Sequence, residues 1–263
     1  MQGQPLRGID ARDHVLLLHG MGCSPWVWRG VTAALPGHLT PVVATIAGHR
    51  NGTRLERRAD RTAPEQMVDD LERQLDELGI ARIHVVGNSL GGWLALRLSE
   101  RGRALSVLCL APAGGWRPGS LGERLIVSRF VMGHRLCKRL DRTPRLLRSA
   151  GLRRAVISPV AHDPSGVSYA DAVTFVRDLA DCQALRAAIG HVEARQLDAI
   201  LRVGAPTTIA WSGEDKVLSG KWAREGFRHL RADEIDVPDV GHLPMLDDAS
   251  LVARLITDSA TPR

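Results

Sequence analysis

Three side chains of this 263-residue chain could together perform acyl transfer: Ser89, Asp215 and His242. A serine hydroxyl is a weak nucleophile until a base removes its proton, and histidine suits that role near neutral pH. A carboxylate behind the imidazole fixes its tautomer and stabilises its charged form. Asp215 is the favoured carboxylate because it follows an apolar strand, and the adjacent Glu214 is the alternative. The three residues therefore predict a nucleophile, its base and the acid that orients the base.

Ser89 lies in a Gly-Asn-Ser-Leu-Gly stretch, residues 87–91, between an apolar run and an amphipathic run. A strand, a tight turn and a helix in this order form the geometry of a nucleophile elbow. Gly87 and Gly91 suit the turn because a Cβ at either position would collide with the neighbouring strand or helix. The five-residue pattern is weak evidence by itself, so the surrounding elements have to support it.

The oxyanion of a tetrahedral intermediate needs preorganised N–H donors. One predicted donor is the backbone N–H of Leu90, directly after the nucleophile. The other is the N–H of Met21, in the His-Gly-Met-Gly loop that follows the first strand. We interpret His19 of that loop as a structural residue that hydrogen-bonds the loop, not as a catalytic group.

Short apolar strands alternate with helices along most of the chain. The predicted strands are 15–18, 42–46, 83–86, 105–110, 207–211 and 234–237. The predicted helices are 64–78, the run after Ser89, about 221–229, and 248–256. This alternation predicts an α/β fold with a doubly wound, mostly parallel sheet covered on both faces. Catalytic loops of such sheets lie at the carboxyl ends of the strands.

The alternation breaks between residues 116 and 201, where the pattern is helical and is interrupted by Pro144, Pro159 and Pro164. We interpret 116–201 as a helical lid inserted into a core formed by residues 1–115 and 202–263. Residues 124–154 of the lid carry ten basic side chains and one acidic one, a net +9 in a chain of net +6. This basic segment is either a solvated surface or a docking site for an anionic acyl carrier, since clustered Arg suits phosphate and carboxylate groups.

At these residues the chain resembles the α/β-hydrolase superfamily. Four motifs in order carry the resemblance: residues 19–22, 87–92, 213–215, and Gly241-His242 followed by Pro244. The resemblance covers nearly the whole chain and implies a Ser89–His242–Asp215 triad. It also implies the two oxyanion donors at Met21 and Leu90, and a lid between the sixth and seventh strands of the family's sheet.

Two features depart from the family pattern. Only 14 residues precede Val15, whereas most relatives place a two-stranded hairpin there, so the sheet could be a strand short. The loop after the second strand, residues 46–52, lacks the Asp and the Pro of the Asp-x-Pro-Gly-x-Gly that relatives usually carry. Neither change touches the triad, but both could alter the mouth of the pocket.

The type of nucleophile narrows the reaction. Haloalkane dehalogenases and epoxide hydrolases of this superfamily carry Asp at the elbow, so Ser89 favours acyl chemistry. We predict a serine hydrolase that cleaves a carboxylic ester through an acyl-enzyme, with Trp26 and Asn88 contacting substrate. For Trp26 a plain core role is the alternative. Cleavage of a carrier-bound ester or thioester, carbon–carbon bond hydrolysis, acyl transfer to another acceptor, and a non-catalytic ligand-binding protein stay open.

Composition argues against several other classes of protein. The basic segment holds one aromatic residue, Phe130, whereas nucleic-acid binders interleave aromatics with basic residues, so we expect no nucleic-acid partner. No run of 18 apolar residues is present and the N-terminus lacks a signal-peptide stretch, which predicts a cytoplasmic protein without a membrane span. The four cysteines are scattered and the histidines show no ligand spacing, so we expect no metal and no cofactor. The expected partner is a small acyl ester or thioester.

Overall fold

A computed structural model describes residues 8–58, 60–190, 197, 199–200, 202–219 and 221–261. These residues contain a six-stranded sheet of order β2-β1-β3-β4-β5-β6, in which each neighbouring pair of strands is parallel. The strands are β1 (Ile9–Leu18), β2 (Thr40–Val43), β3 (Ile80–Asn88), β4 (Ala104–Leu110), β5 (Thr207–Ser212) and β6 (Asp233–Val237). The predicted doubly wound α/β fold is confirmed.

The helices of the described residues flank the sheet or lie between β4 and β5. They are α1 (Arg29–Ala34), α2 (Ala63–Glu77), α3 (Leu90–Glu100), α4 (Leu121–Asp141), α5 (Ala150–Ile157), α6 (Tyr169–Asp181), α7 (Gln183–Gly190), α8 (Pro244–Asp247) and α9 (Ala249–Ala260). The chain steps from β1 outward to β2 and then returns across β1 to β3. Right-handed crossovers in opposite directions put their helices on opposite faces. Accordingly, α1 packs against α9, whereas α2 packs against α3.

The reversal of strand order brings the carboxyl ends of β1 and β3 side by side. Leu18 at the end of β1 is in register with Gly87 near the end of β3. Doubly wound sheets bind their ligands in the crevice outside such a switch point. The loop after β1 and the turn that carries Ser89 therefore meet at this edge of the sheet.

Most residues of the central strands β3 and β4 are apolar, as expected for strands that helices cover on both faces. Ile83, Val85 and Val86 of β3 are at most 2% exposed, and Trp93 of α3 is 1% exposed. A single cluster of buried apolar side chains continues from the sheet into the helices between β4 and β5, where it includes Phe175. The inserted helices therefore pack as part of the main core.

We call residues 116–201 the inserted segment. Its regular secondary structure, among the described residues, is entirely helical. In α4–α7 the helices are broken by short 3₁₀ turns that begin at Pro144 and Pro164, since proline has no N–H to continue a helix. Helix α4 packs against α6. Leu201, the predicted last residue of the segment, lies outside the described residues, so the predicted limits of the segment stay a prediction.

The predicted helix 221–229 is wrong. The chain instead forms two short 3₁₀ turns, Lys221–Ala223 and Glu225–Phe227. Gly226 donates its N–H to the Gly115 carbonyl at 2.7 Å, so the chain bends between the turns to fit the loop that follows β4. Among the described residues, no helix is both long enough and apolar enough to cross a membrane.

Candidate active site

Ser89 occupies a strained turn between β3 and α3 and is 5% exposed. Its backbone angles, φ 54° and ψ −115°, lie in a region that residues with a Cβ rarely adopt. A Cβ on Gly87 would lie 2.0 Å from the Gly91 carbonyl oxygen, and a Cβ on Gly91 would lie 2.3 Å from the Leu18 carbonyl oxygen. The close approach of β3, α3 and β1 thus admits only glycine at positions 87 and 91.

His242 and Asp215 form a direct hydrogen bond. Nδ1 of His242 lies 2.7 Å from Oδ2 of Asp215, and the two side chains are 5% and 6% exposed. Oδ1 of Asp215 accepts the backbone N–H groups of Val217 at 2.7 Å and Leu218 at 2.8 Å. Burial raises the pKa of Asp215, but interaction with His242, its hydrogen bond and the two backbone donors outweigh this effect, so the pKa of the carboxyl lies below its ordinary value. The carboxylate of Asp215 accepts a hydrogen bond from Nδ1–H of His242, and in this tautomer Nε2 of the ring is an acceptor.

Glu214, the alternative acid, does not reach the histidine. It is exposed, and its backbone N–H donates to the Val240 carbonyl at 3.0 Å. Of the two neighbouring carboxylates, only Asp215 contacts His242.

The loop that carries His242 is held by the turn that carries Ser89 and by the inserted segment. Asn88 Nδ2 donates to the backbone carbonyl of His242 at 2.8 Å and to that of Leu110 at 3.1 Å. On the other side, the N–H of Leu243 donates to the Val160 carbonyl at 2.7 Å. Asn88 lines the same cavity as Ser89, but its amide nitrogen is committed to the backbone. Its contacts are those of a residue that positions the histidine loop.

Asp247 fixes the same loop through its carboxylate. Oδ2 accepts the N–H of Gly241 at 2.8 Å and that of His162 at 3.1 Å, while Oδ1 accepts the N–H of Asp163 at 2.9 Å. A single side chain therefore ties the residue before His242 to two consecutive residues of the inserted segment.

The loop after β1 lies directly against the turn that carries Ser89. A Cβ built on Gly20 would be 3.3 Å from the Cβ of Ser89, and Met21 lines the cavity beside the serine. Leu90 is the first residue of α3, so its N–H belongs to the helical turn whose donors have no intrahelical acceptor. Both predicted oxyanion donors therefore belong to segments that adjoin Ser89.

His19 supports this loop from inside the core. Its Nδ1 donates to the Gly20 carbonyl at 3.0 Å, and its Nε2 accepts the N–H of Ile46 at 3.3 Å. Burial, together with the His49 ring 4.9 Å away, lowers the pKa of His19 to about 3. The neutral ring uses both nitrogens on the backbone, as expected for a structural residue.

Asp178 of α6 joins the inserted segment to the loop after β1. It is 1% exposed, and its carboxylate accepts hydrogen bonds from Ser24 Oγ at 2.5 Å, Trp26 Nε1 at 3.0 Å and Arg50 Nε at 2.6 Å. Trp26 thus lies outside the cavity wall, with its indole N–H directed to a buried carboxylate. In place of the predicted substrate contact, the structure shows an anchoring contact for the loop that contains Met21.

Ser89 and His242 line one cavity of about 560 Å³. The inserted segment supplies most of its apolar wall, which includes Phe130, Leu136, Val156, Phe175 and Leu179. Arg129 and Lys216 also line it, and both donate to backbone carbonyl oxygens. The arrangement offers a polar reacting end beneath an apolar chamber.

The sequence patterns did not indicate two residues of the site, Asp178 and Asp247. Asp178 lies among the buried Phe175, Val176 and Leu179 of α6, and a charge on the apolar stripe of a helix is a signal that could have identified it. Asp247 carries no comparable signal. Among the described residues, no group of three or more His, Cys, Asp or Glu side chains is placed to hold a metal ion.

The chain belongs to the α/β hydrolase family, whose model matches residues 15–255. Epoxide hydrolase EphH of Mycobacterium tuberculosis is 34% identical over 204 residues, which cover 73% of this chain and 92% of the relative. These similarities define an enzyme of the α/β-hydrolase type.

Solved structures share the fold at lower identity. The enol-lactonase from Burkholderia xenovorans LB400 is 22% identical with a TM-score of 0.68, and the alignment covers 99% of this chain and 94% of that one. A thermophilic esterase from Thermogutta terrifontis is 19% identical with a TM-score of 0.66, covering 93% and 88%. At these identities, both similarities show a shared fold.

Proposed function

We propose that this protein is a serine hydrolase that cleaves a carboxylic ester through an acyl-enzyme. The observation that carries the proposal is the shared cavity of Ser89 and His242, with His242 hydrogen-bonded to the buried Asp215 at 2.7 Å. A nucleophile, a base and an orienting carboxylate are the parts that acyl transfer requires. They occur here beside an apolar chamber that can hold an organic substrate.

In the proposed reaction, Ser89 Oγ attacks the ester carbonyl while Nε2 of His242 takes its proton. The N–H groups of Met21 and Leu90 stabilise the oxyanion that forms; loss of one such donor typically costs about 10²–10³ in kcat. His242 then gives the proton to the leaving alcohol oxygen. Water, deprotonated by His242, attacks the acyl-serine and releases the acid, while Asp215 holds the imidazole throughout.

The inserted segment would act as the lid of this site. Its helices α4, α5 and α6 each place side chains on the wall of the cavity, so substrate enters beside them or after they move. The packing of α4 on α6 and the attachment of Asp178 to the loop after β1 favour a lid that is integral to the site.

Epoxide hydrolysis is a less suitable reaction for this chain, despite the name of its relative from Mycobacterium tuberculosis. Attack of the Ser89 alkoxide on an epoxide carbon would give an alkyl ether, which has no carbonyl for water to attack. Attack on an ester gives an acyl-serine whose carbonyl accepts water and restores the enzyme. Turnover through Ser89 therefore calls for an acyl substrate.

A carrier-bound acyl group is the second candidate substrate, and the basic segment favours it. Arg135, Arg139 and Arg142 are exposed on and just after α4, and their charges would attract an anionic carrier. Met132 and Leu136 of the same helix line the cavity, so a carrier docked there could deliver its acyl arm to Ser89.

The test compares hydrolysis of 4-nitrophenyl acetate and of styrene oxide by the wild type and by Ser89→Ala. We expect ester hydrolysis by the wild type, a loss of at least about 10³-fold in kcat on removal of the nucleophile, and no epoxide turnover. Ester hydrolysis that survives in Ser89→Ala, or styrene oxide as the better substrate of the wild type, would contradict the proposal.

A further inference from the structure

Two cavities meet at Ser89. The large cavity of about 560 Å³ lies under α4, α5 and α6, and a small one of about 90 Å³ lies toward α3 and α7. Met21, Ser89 and Phe130 line both of them. The serine therefore stands at the junction of two chambers of very different size, with the Phe130 side chain on their common wall.

The remaining groups of the site are divided between the two cavities. His242 lines the large cavity and is not part of the wall of the small one. Leu90 lines the small cavity and is not part of the wall of the large one. His242 and Leu90, the first residue of α3, thus face different chambers.

We propose that the large cavity binds the alcohol part of the ester and the small cavity binds its acyl part. The inference rests on the proposed function, since it assumes that Ser89 attacks an ester. His242 must hand its proton to the oxygen that leaves, so the leaving group has to lie on the histidine side of the serine. The acyl carbon stays bonded to Ser89 Oγ, and its chain extends into the other chamber.

The two volumes set the substrate class. A cavity of 560 Å³ lies in the range of about 300–1,000 Å³ that holds a drug-sized ligand. At about 30 Å³ for each water of the liquid, the small cavity of 90 Å³ has room for about three waters, and so for a short acyl chain. The preferred substrate is a short-chain acyl ester of a large apolar alcohol.

The linings agree with apolar groups on both sides. Leu136, Val156 and Phe175 belong to the wall of the large cavity, and Met67 and Leu185 belong to that of the small one. Burial of apolar surface favours a hydrocarbon chain over a polar one in the large chamber.

Two constitutional isomers test the assignment directly: decyl acetate and ethyl decanoate. They have the same formula and similar primary alcohols as leaving groups, and they differ in which side of the ester is long. We expect kcat/KM for decyl acetate to exceed that for ethyl decanoate by at least tenfold. Equal values, or a preference for ethyl decanoate, would overturn the assignment.

Two cavity-filling variants provide a matched pair. Gly133 borders the large cavity, and Gly133→Leu should lower kcat/KM for decyl acetate about tenfold more than for ethyl acetate. Ala188 borders the small cavity, and Ala188→Leu should lower kcat/KM for ethyl butanoate about tenfold more than for ethyl acetate. A selective loss of kcat/KM for ethyl butanoate in Gly133→Leu and for decyl acetate in Ala188→Leu would overturn the assignment. Equal losses for the long and the short ester in each variant would also overturn it.

4-Nitrophenyl acetate separates the two levels of the proposal, because its acyl group is small and its leaving group is activated. Hydrolysis of this ester without a preference between the isomers would overturn the cavity assignment and leave the serine hydrolase intact. No hydrolysis of any ester would overturn the serine hydrolase itself.

Discussion

Asn88 donates its side-chain Nδ2–H to the backbone carbonyl of His242 at 2.8 Å. The residue immediately before the proposed nucleophile, Ser89, thus holds the loop that carries the proposed base, His242. The same amide nitrogen donates to the Leu110 carbonyl at the end of β4, and the Asn88 side chain is fully buried. The positions of Ser89 and His242 are therefore coupled through one amide group.

Replacing this amide should slow the reaction more than it weakens substrate binding. In Asn88→Asp, a carboxylate would face two carbonyl oxygens and could donate to neither. We expect kcat to fall by about 10–100-fold with little change in KM, since a buried carbonyl left without a donor costs about 1–3 kcal/mol. Steady-state kinetics on 4-nitrophenyl acetate measure both constants.

Ser106→Ala is the control for Asn88→Asp. It removes a buried hydrogen bond of 2.8 Å to His84 on the neighbouring strand, and neither residue lines the cavity beside Ser89. Its kcat should match that of the wild type. If the two variants lose kcat equally, Asn88 acts through general stability and not through His242.

The carboxylate of Asp178 should matter for catalysis although it lies outside the cavity wall. In Asp178→Asn, Arg50 loses its ionic partner. One of the two carboxylate oxygens that accept hydrogen bonds from Ser24, Trp26 and Arg50 becomes an NH₂ group, which cannot accept them. Arg50 is about one-third exposed, so we expect a loss of about 1–3 kcal/mol in the free energy of unfolding, less than for a fully buried pair. The loop that contains Met21 should shift with it, and kcat should fall about tenfold.

Asp171→Asn is a matched control for Asp178→Asn. It breaks the ion pair of Asp171 with Arg29, which also links α6 to the chain after β1 but lies at the surface. Surface pairs contribute at most about 1 kcal/mol. Denaturant unfolding and ester turnover should therefore differ between the two variants, and a wild-type kcat in Asp178→Asn would refute the positioning role.

Acid should destabilise the protein through His19 and His49. Burial lowers the pKa of His19 to about 3 and that of His49 to about 4, whereas the unfolded chain binds these protons near pH 6.5. The unfolded state therefore holds more protons between about pH 4 and 6.5, so stability rises with pH across this window and is constant above it. Each histidine contributes a loss of about 2–3 kcal/mol at pH 4.5.

His49→Gln should reduce this slope of stability against pH, because glutamine does not titrate. His38→Gln, at an exposed position, should leave the slope as it is in the wild type. Urea unfolding at pH 4.5, 5.5 and 7 measures the effect. A slope that is the same in all three proteins would show that His49 is not a source of the acid sensitivity.

The basic segment gives a prediction about carrier-bound substrates. Reversing Arg135, Arg139 and Arg142 to Glu should raise KM for an acyl carrier protein thioester about tenfold and leave KM for a small neutral ester unchanged. The effect should weaken as salt increases, because exposed charges are screened. Reversal of Arg54, Arg57 and Arg228, which are exposed outside the inserted segment, is a control with the same change in net charge. Equal effects of the two triple variants would refute docking at this surface.

The sequence was informative wherever local sterics or chain order determine the structure. The glycines around Ser89 predicted the turn because close backbone approach excludes a Cβ there. Asp215 was preferred to Glu214 from its place after a strand, and the structure brings Asp215 alone to His242. Each of these inferences used residues that act within a few positions of a strand end.

Sequence patterns did not predict the structure where contacts join distant parts of the chain. Trp26 and Asp178 are 152 positions apart, and nothing in the local pattern of Trp26 indicates that its N–H bonds to a helix of the inserted segment. The predicted helix at 221–229 failed for the same reason, since the bend follows from a hydrogen bond between Gly226 and Gly115. Tertiary contacts override local propensity in both cases.

The most direct test of the central claim is labelling by a fluorophosphonate, which reacts with an activated serine. Mass spectrometry of the intact protein and of its peptides should find one adduct, on Ser89. Labelling should be absent in Ser89→Ala and strongly slowed in His242→Gln. A folded wild type that takes up no label, or an adduct that persists in Ser89→Ala, would contradict the account.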